Sequence, residues 1–267
     1  MAEKATALDN ITKLAVMAVG GQGGGVLTNW IVDLAEANGY AVQATSVAGV
    51  AQRTGTTIYY IEMLPDTGRQ PVFALSPVEA DVDIVIAAEW MEAGRAIMRG
   101  FVSPDRTVLI ASSHRALAEV EKAVPGNGIA DDTEVHLAAT KSARRVIAFD
   151  MDSIAVDAGT MISASLFGAI AGADVLPFAV DEFRKTVRRG GRGFEASLAA
   201  FEVAFERAQS ESDASLYPED ALAECLRPNL IGPEKLLTEW RVLLARLADL
   251  PDAVRPIAEA GLIKVVD

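Results

Sequence analysis

The chain has 267 residues, 51% of them hydrophobic, and its 24 Lys and Arg against 37 Asp and Glu give a net charge of −13. That is enough apolar material for one large α/β domain with an appendage, or for two small domains, and so acidic a surface disfavours nucleic acid and anionic membrane as partners. The single cysteine, Cys225, excludes an internal disulfide, points to the cytoplasm, and falls short of the four thiolates an iron–sulfur cluster normally needs.

Residues 1–12 form a polar lead-in without the apolar core of a secretory signal, and no apolar stretch reaches the ~18–20 residues that would span a bilayer. The chain is organised around Lys13 to Leu34, KLAVMAVGGQGGGVLTNWIVDL. Its apolar run Leu14 to Val19 reads as a strand, the cluster Gly20, Gly21, Gly23, Gly24 and Gly25 as a tight turn, and Val26, Leu27, Trp30, Ile31 and Leu34 as one face of a helix. A strand, glycine turn and helix leave backbone N–H groups unpaired at the helix start, above the carboxyl end of the strand, where the helix dipole favours anions. Ala18 stands where a dinucleotide fingerprint has its first glycine. The second strand, Tyr40 to Val47, ends Thr45-Ser46-Val47 without the acid that would bond a ribose.

Gly39 should stop the first helix. After the second strand comes the loop Ala48 to Gly55, then a strand Thr56 to Met63 closed by a turn at Pro65, Asp66 and Gly68. Val82 to Ala88 is a continuous apolar run broken only by Asp83, as in a strand covered on both faces. Glu89 and Trp90 then open a short helix ending near Gly100. Thr107 to Ala111 reads as another strand, with Ser112 and Ser113 available to cap a helix from about Arg115. Val135 to Ala139 reads as a minor strand and Arg145 to Phe149 as a sixth. Alternating strands and helices predict a doubly wound, mostly parallel sheet whose ligand surface is the carboxyl edge.

Thr160 to Ala171, Asp181 to Arg189 and Phe194 to Gln209 read as helices, the first of them buried. The basic cluster Arg184, Lys185, Arg188, Arg189 and Arg192 either complements a helix C-terminus or docks an acidic partner surface or a phosphate. Beyond a polar linker at 210–217, Leu236, Leu237, Trp240, Leu243, Leu244 and Leu247 make a helical stripe that must pack on the main domain or on another chain. The expected organisation is therefore a domain over 1–209 and a linker with a C-terminal helical extension over 210–267. His114 and His136, 22 positions apart, are expected to be ordinary surface or cap histidines, and no metal site is expected. Glu62 and Glu89, near strand ends, are expected to be solvated or helix-capping.

Two segments in order, AVGGQGGGVLTNWI and GVAQRTGTTIYYIEM, resemble the gamma-type domain of the 2-oxoacid:acceptor oxidoreductases. Within these the chain looks most like the indolepyruvate oxidoreductase beta subunits. The family's G-G-Q-G turn is matched by Gly20-Gly21-Gln22-Gly23, and its G-[MV]-[AS]-Q-R-[GT]-G loop by Gly49-Val50-Ala51-Gln52-Arg53-Thr54-Gly55. KTVRRGGRGFEASLAAFEVAFE resembles the family's last helices, so the likeness covers roughly residues 12–209. Ala18, Ala48 and Thr54 depart from the commonest pattern and look similar to the bacterial arylpyruvate variant. The closing GLIKVVD resembles the start of an extra helical region in longer beta subunits.

The resemblance implies oxidative decarboxylation of an arylpyruvate such as indolepyruvate or phenylpyruvate. Thiamine diphosphate, Mg and the iron–sulfur clusters would reside in a larger catalytic partner subunit of a hetero-oligomer, with electrons passing to ferredoxin or a similar acceptor and CoA a candidate co-substrate. No side chain here is an obvious nucleophile or general base. The candidate binding residues are Gly20, Gly21, Gln22, Gly23, Gly24, Gln52, Arg53 and Thr54, with Arg53 suited to gripping a carboxylate or phosphate bidentately. Two other functions fit the residues: a stand-alone NAD(P)- or FAD-binding oxidoreductase, and a non-enzymatic interaction subunit.

Overall fold

The computed structural model describes residues 11–47, 56–68, 71–116, 133–191, 193–210 and 234–247. Six strands, β1 (Thr12–Val19), β2 (Tyr40–Val47), β3 (Thr56–Pro65), β4 (Ile84–Ala87), β5 (Val108–Ser112) and β6 (Arg145–Phe149), form one sheet in the order β2-β3-β1-β4-β5-β6. β1, β4, β5 and β6 pair in parallel, whereas β3 runs antiparallel to both β2 and β1, so five of the six strands point the same way. Parallel neighbours need a crossover of a dozen or more residues. The eight positions between β2 and β3 are too few for one, and the reversal of β3 follows.

Helices cover both faces. On one lie α1 (Gly24–Ala37), α4 (Met151–Ala158), α5 (Ile162–Gly172), α6 (Val180–Arg189) and α7 (Phe194–Ser210), packed with Leu14, Val16 and Ala18 of β1 in a large core. On the other lie α2 (Trp90–Met98) and α3 (Thr133–Ser142), packed against Ala15 and Met17. β1 thus alternates between two cores, as a central strand with a period of two must. α1 ends as its sequence predicts, with Gly39 at φ 75° and its N–H on the Glu36 carbonyl.

The chain divides into two compact units, Met1–Leu216 and Tyr217–Asp267. In the second, the predicted leucine stripe falls on α8 (Glu234–Leu247). No helix among the described residues is long and apolar enough to cross a membrane.

Three expectations need correction. Val135 to Ala139 is not a strand but part of α3, where the buried His136, Leu137 and Ala139 line up at helical spacing and Val135 sits in the gap left by Gly94 of α2. His136 is not a surface residue: it is 8% exposed, its ring 4.0 Å from that of Trp90. Glu62 and Glu89 are not solvated but 3% and 1% exposed, while Glu89 does stand at the N-cap position of α2. Glu62 is held by the Tyr60 hydroxyl at 2.6 Å and the Ala74 amide at 2.7 Å. Ser112 Oγ accepts the Met151 N–H at 3.0 Å. The expected helix beyond Arg115, the linker after residue 210 and the loop 48–55 lie outside the described residues.

Candidate functional site at the carboxyl edge

The glycine turn sits where the sequence puts it, at the carboxyl end of β1, and each glycine has its own reason. Gly23 is the residue before α1 and has a left-handed backbone, φ 70°, and a Cβ there would stand 3.2 Å from Ser163 Oγ of α5. A Cβ on Gly24 would come within 2.6 Å of the Tyr59 ring and 2.8 Å of the Ala18 Cβ, so this glycine lets α1 lie close on the sheet. Gly20 and Gly21 are different: no atom lies within 4 Å of either Cβ position, and Gly21 has φ 96°. They face open space on an exposed crest.

Gln22 closes the turn. Its Oε1 accepts the Val19 N–H at 2.8 Å while its own N–H donates to the Val19 carbonyl at 3.1 Å. Its oxygen is therefore anchored to the strand, and the amide NH₂ is free of that contact. No side chain caps α1, so the amides of its first turn remain available for an anion or a partner group.

Val19 pairs directly with Thr56, and Val47 with Ile58. Both ends of the segment that carries Gln52, Arg53 and Thr54 thus leave the sheet at the edge where the glycine turn stands. Those three residues themselves lie outside the described residues. The anchor at Thr56 has support that sequence reasoning missed: Arg95 Nη1 donates to Thr56 Oγ1 at 2.9 Å and pairs with Glu92. Glu92 is fully buried, and its Oε2 has no hydrogen-bond partner among the described residues. Its spacing of three from Arg95 on a short helix is a signal that could have been read.

Further along the edge, burial pushes the Glu89 carboxyl up, partly offset by the amides of Met91 and Ala116. Burial lowers His114, opposed by Asp152 and Asp150, and its Nδ1 lies 2.7 Å from Ser112 Oγ. Beside α1, a groove of about 200 Å³ is lined by Gly25, Thr28, Asn29, Thr45, Ser46 and Tyr59, with no carboxylate among them. Among the described residues no group of three or more His, Cys, Asp or Glu could hold a metal ion. The chain's donor set, with one cysteine, does not fit an iron–sulfur cluster.

Comparison with known proteins assigns the chain to a family. Residues 13–207 match the family described as pyruvate ferredoxin/flavodoxin oxidoreductase. The chain belongs to this family. As a pyruvate ferredoxin/flavodoxin oxidoreductase chain it is similar to the indolepyruvate oxidoreductase subunit IorB of Thermococcus kodakarensis, 23% identical over 204 residues, with 73% of this chain and 95% of that protein covered. Its fold is that of the pyruvate oxidoreductase subunit PORC of Thermotoga maritima, with a TM-score of 0.54, 16% identity, and 74% and 96% of the two chains covered. The gamma subunit of a keto/oxoacid ferredoxin oxidoreductase from Geobacter sulfurreducens gives a TM-score of 0.51 at 16% identity, covering 74% and 99%. The family match begins in β1 and ends within α7, so it takes in the whole carboxyl edge and stops before the second unit.

Proposed function

We propose that this chain is the cofactor-free subunit of a complex that oxidatively decarboxylates an arylpyruvate such as indolepyruvate or phenylpyruvate. In this reading a larger partner holds thiamine diphosphate with its Mg ion and the iron–sulfur clusters, and electrons leave to ferredoxin or a similar acceptor. Gly20 to Gly24, Gln52, Arg53 and Thr54 complete the partner's substrate or CoA entrance. The observation that carries the reading is the pairing of Val19 with Thr56, which sets the residue before the glycine crest beside the residue after the glutamine–arginine loop. The single cysteine and the similarity to a subunit named for indolepyruvate support it.

The test is co-expression with the larger chain. Alone, this chain is expected to be colourless, thiamine-free and inactive, and turnover of indolepyruvate should appear only with the partner. Activity in the isolated chain overturns the proposal, as does saturable binding of NAD(H), NADP(H) or FAD at millimolar concentration. Arg53→Ala should lower partner-supported turnover roughly ten- to a hundredfold, the effect of losing one charge-assisted hydrogen bond. Its thermal midpoint should stay unchanged, and wild-type kinetics would remove Arg53 from the site.

A further inference from the structure

The basic cluster does not behave as a single feature. Arg184 is neutralised inside the fold, with Nε and Nη2 on the Glu202 carboxylate at 2.7 and 2.8 Å and Nη1 on Asp181 at 2.9 Å. Lys185 pairs with Glu182 at 2.6 Å. Arg188 and Arg189, in the last turn of α6, are exposed and form no ion pair among the described residues. The Glu202 carboxyl is lowered first by its hydrogen bond to Arg184 and only further down by the charge of Arg188.

Their place in the fold is fixed by helix direction. Thr160 Oγ1 lies 2.8 Å from Ser197 Oγ, and further along Gly168 and Gly172 of α5 lie against the backbone of Phe201 and Phe205 of α7. α5 and α7 therefore run side by side in the same direction. The start of α5 is at the carboxyl edge, because Ser163 stands beside Gly23. The start of α7, and with it Gly193, must be at that edge too. Gly190 confirms the placement, lying 3.7 Å by its Cβ position from the Trp30 indole Nε1 on α1. The same rim carries two exposed apolar side chains, Val26 one helical turn before Trp30, 46% exposed, and Met161 at the head of α5, 52% exposed.

Resting on the reading of the chain as a subunit, we propose that Arg188 and Arg189, together with Val26 and Met161 on the same rim, form a docking surface that grips an acidic segment of the larger subunit near the glycine crest. Charge selects the occupant. In a chain of net charge −13, two adjacent exposed cations with no ion pair among the described residues, at an edge that also exposes apolar side chains, match an acidic protein surface. Arginines around an apolar patch are the composition of an interface. The dipole of α6 accounts for cations in its last turn, but it does not require them to be left exposed on a rim that also exposes apolar side chains. Of the acids on α7, Glu195 lies in its first turn, the end of that helix at the carboxyl edge.

The experiment uses the purified complex of this chain with its thiamine- and iron-carrying subunit, and measures dissociation by light scattering from about 50 to 500 mM NaCl. The double charge reversal Arg188→Glu with Arg189→Glu should weaken association about tenfold or more at low salt and flatten its salt dependence, since the steering charges are gone. The alanine pair should show the same loss of salt dependence with a smaller drop in affinity, and the lysine pair should keep both. Lys185→Glu, which alters a cation already paired with Glu182, should leave both near wild type. Wild-type affinity and salt dependence in both the glutamate and the alanine pair overturn the docking surface while leaving the subunit reading intact. If the wild-type chain binds no such subunit at any salt, both fall.

Discussion

At the scale of single residues, the glycine crest separates into positions that serve the fold and positions that face outward. Gly24 is a packing glycine: an alanine there would press its Cβ into the Tyr59 ring and the Ala18 methyl. Gly24→Ala should therefore cost about 1–3 kcal/mol of stability, the range for overpacking a closed contact. Gly20 has an ordinary backbone conformation and nothing near its Cβ position, so Gly20→Ala should change stability by no more than about 0.5 kcal/mol. If the crest meets a partner, that same alanine should lower partner-supported turnover. Urea unfolding of the two variants, with turnover of the reconstituted complex, checks the contrast. A Gly20→Ala chain that is both stable and fully active would make the crest a turn and nothing more. Much of this edge was legible in the sequence, because a glycine run between an apolar strand and an amphipathic helix has few other foldings. The division of labour among the glycines was not, since it depends on Tyr59 and Ser163, which are distant in sequence. Gln22 carried a second hidden role: its side chain stands in for a backbone acceptor to close the turn.

At the scale of elements, the sequence was read well where a segment's own period decided its structure and poorly where neighbours did. The Val135 to Ala139 segment is too short for period alone to tell a strand from a helix. α3 forms because Gly94 leaves room for Val135 and Trp90 offers its ring to His136. The reversal of β3 was likewise invisible in its own residues, although the short connection to β2 implied it. α5 and α7 show the same dependence on neighbours in a form that can be tested. Gly168 and Gly172 lie so close to the α7 backbone that any side chain would overlap the carbonyls of Phe201 and Phe205. In an isolated helix Gly168→Ala would gain up to about 1 kcal/mol of propensity. Here the helices would have to separate, disturbing the Phe167, Phe183 and Phe201 cluster, whose ring centroids are 4.9–6.4 Å apart. The expected net loss is about 2 kcal/mol, or roughly 4–8 °C in thermal midpoint. A rise in midpoint would show that propensity outweighs contact at this crossing.

At the scale of the molecule, the architecture sends stability and function to different places. Both hydrophobic cores are built from residues between Leu14 and Ala208, and the family match ends at residue 207. Every described residue of the candidate site and of the docking surface falls inside that span. The second unit, Tyr217–Asp267, contributes α8 with its leucine-rich sequence, and Val242 and Leu243 there are 58% and 40% exposed. A chain cut after Leu216 should therefore keep a cooperative unfolding transition, with a midpoint within roughly 4 °C of the full chain, because it loses no described residue of either core. What it loses tells the role of the extension. If the truncated chain assembles with the larger subunit and supports turnover, recognition resides at the carboxyl edge alone, as the arginine pair and the glycine crest require. If it folds but no longer assembles, α8 is a second docking element, and the edge shapes the site without holding the complex. A broadened transition with exposure of apolar surface would instead show that the second unit completes a core that the residues from Leu14 to Ala208 do not close by themselves.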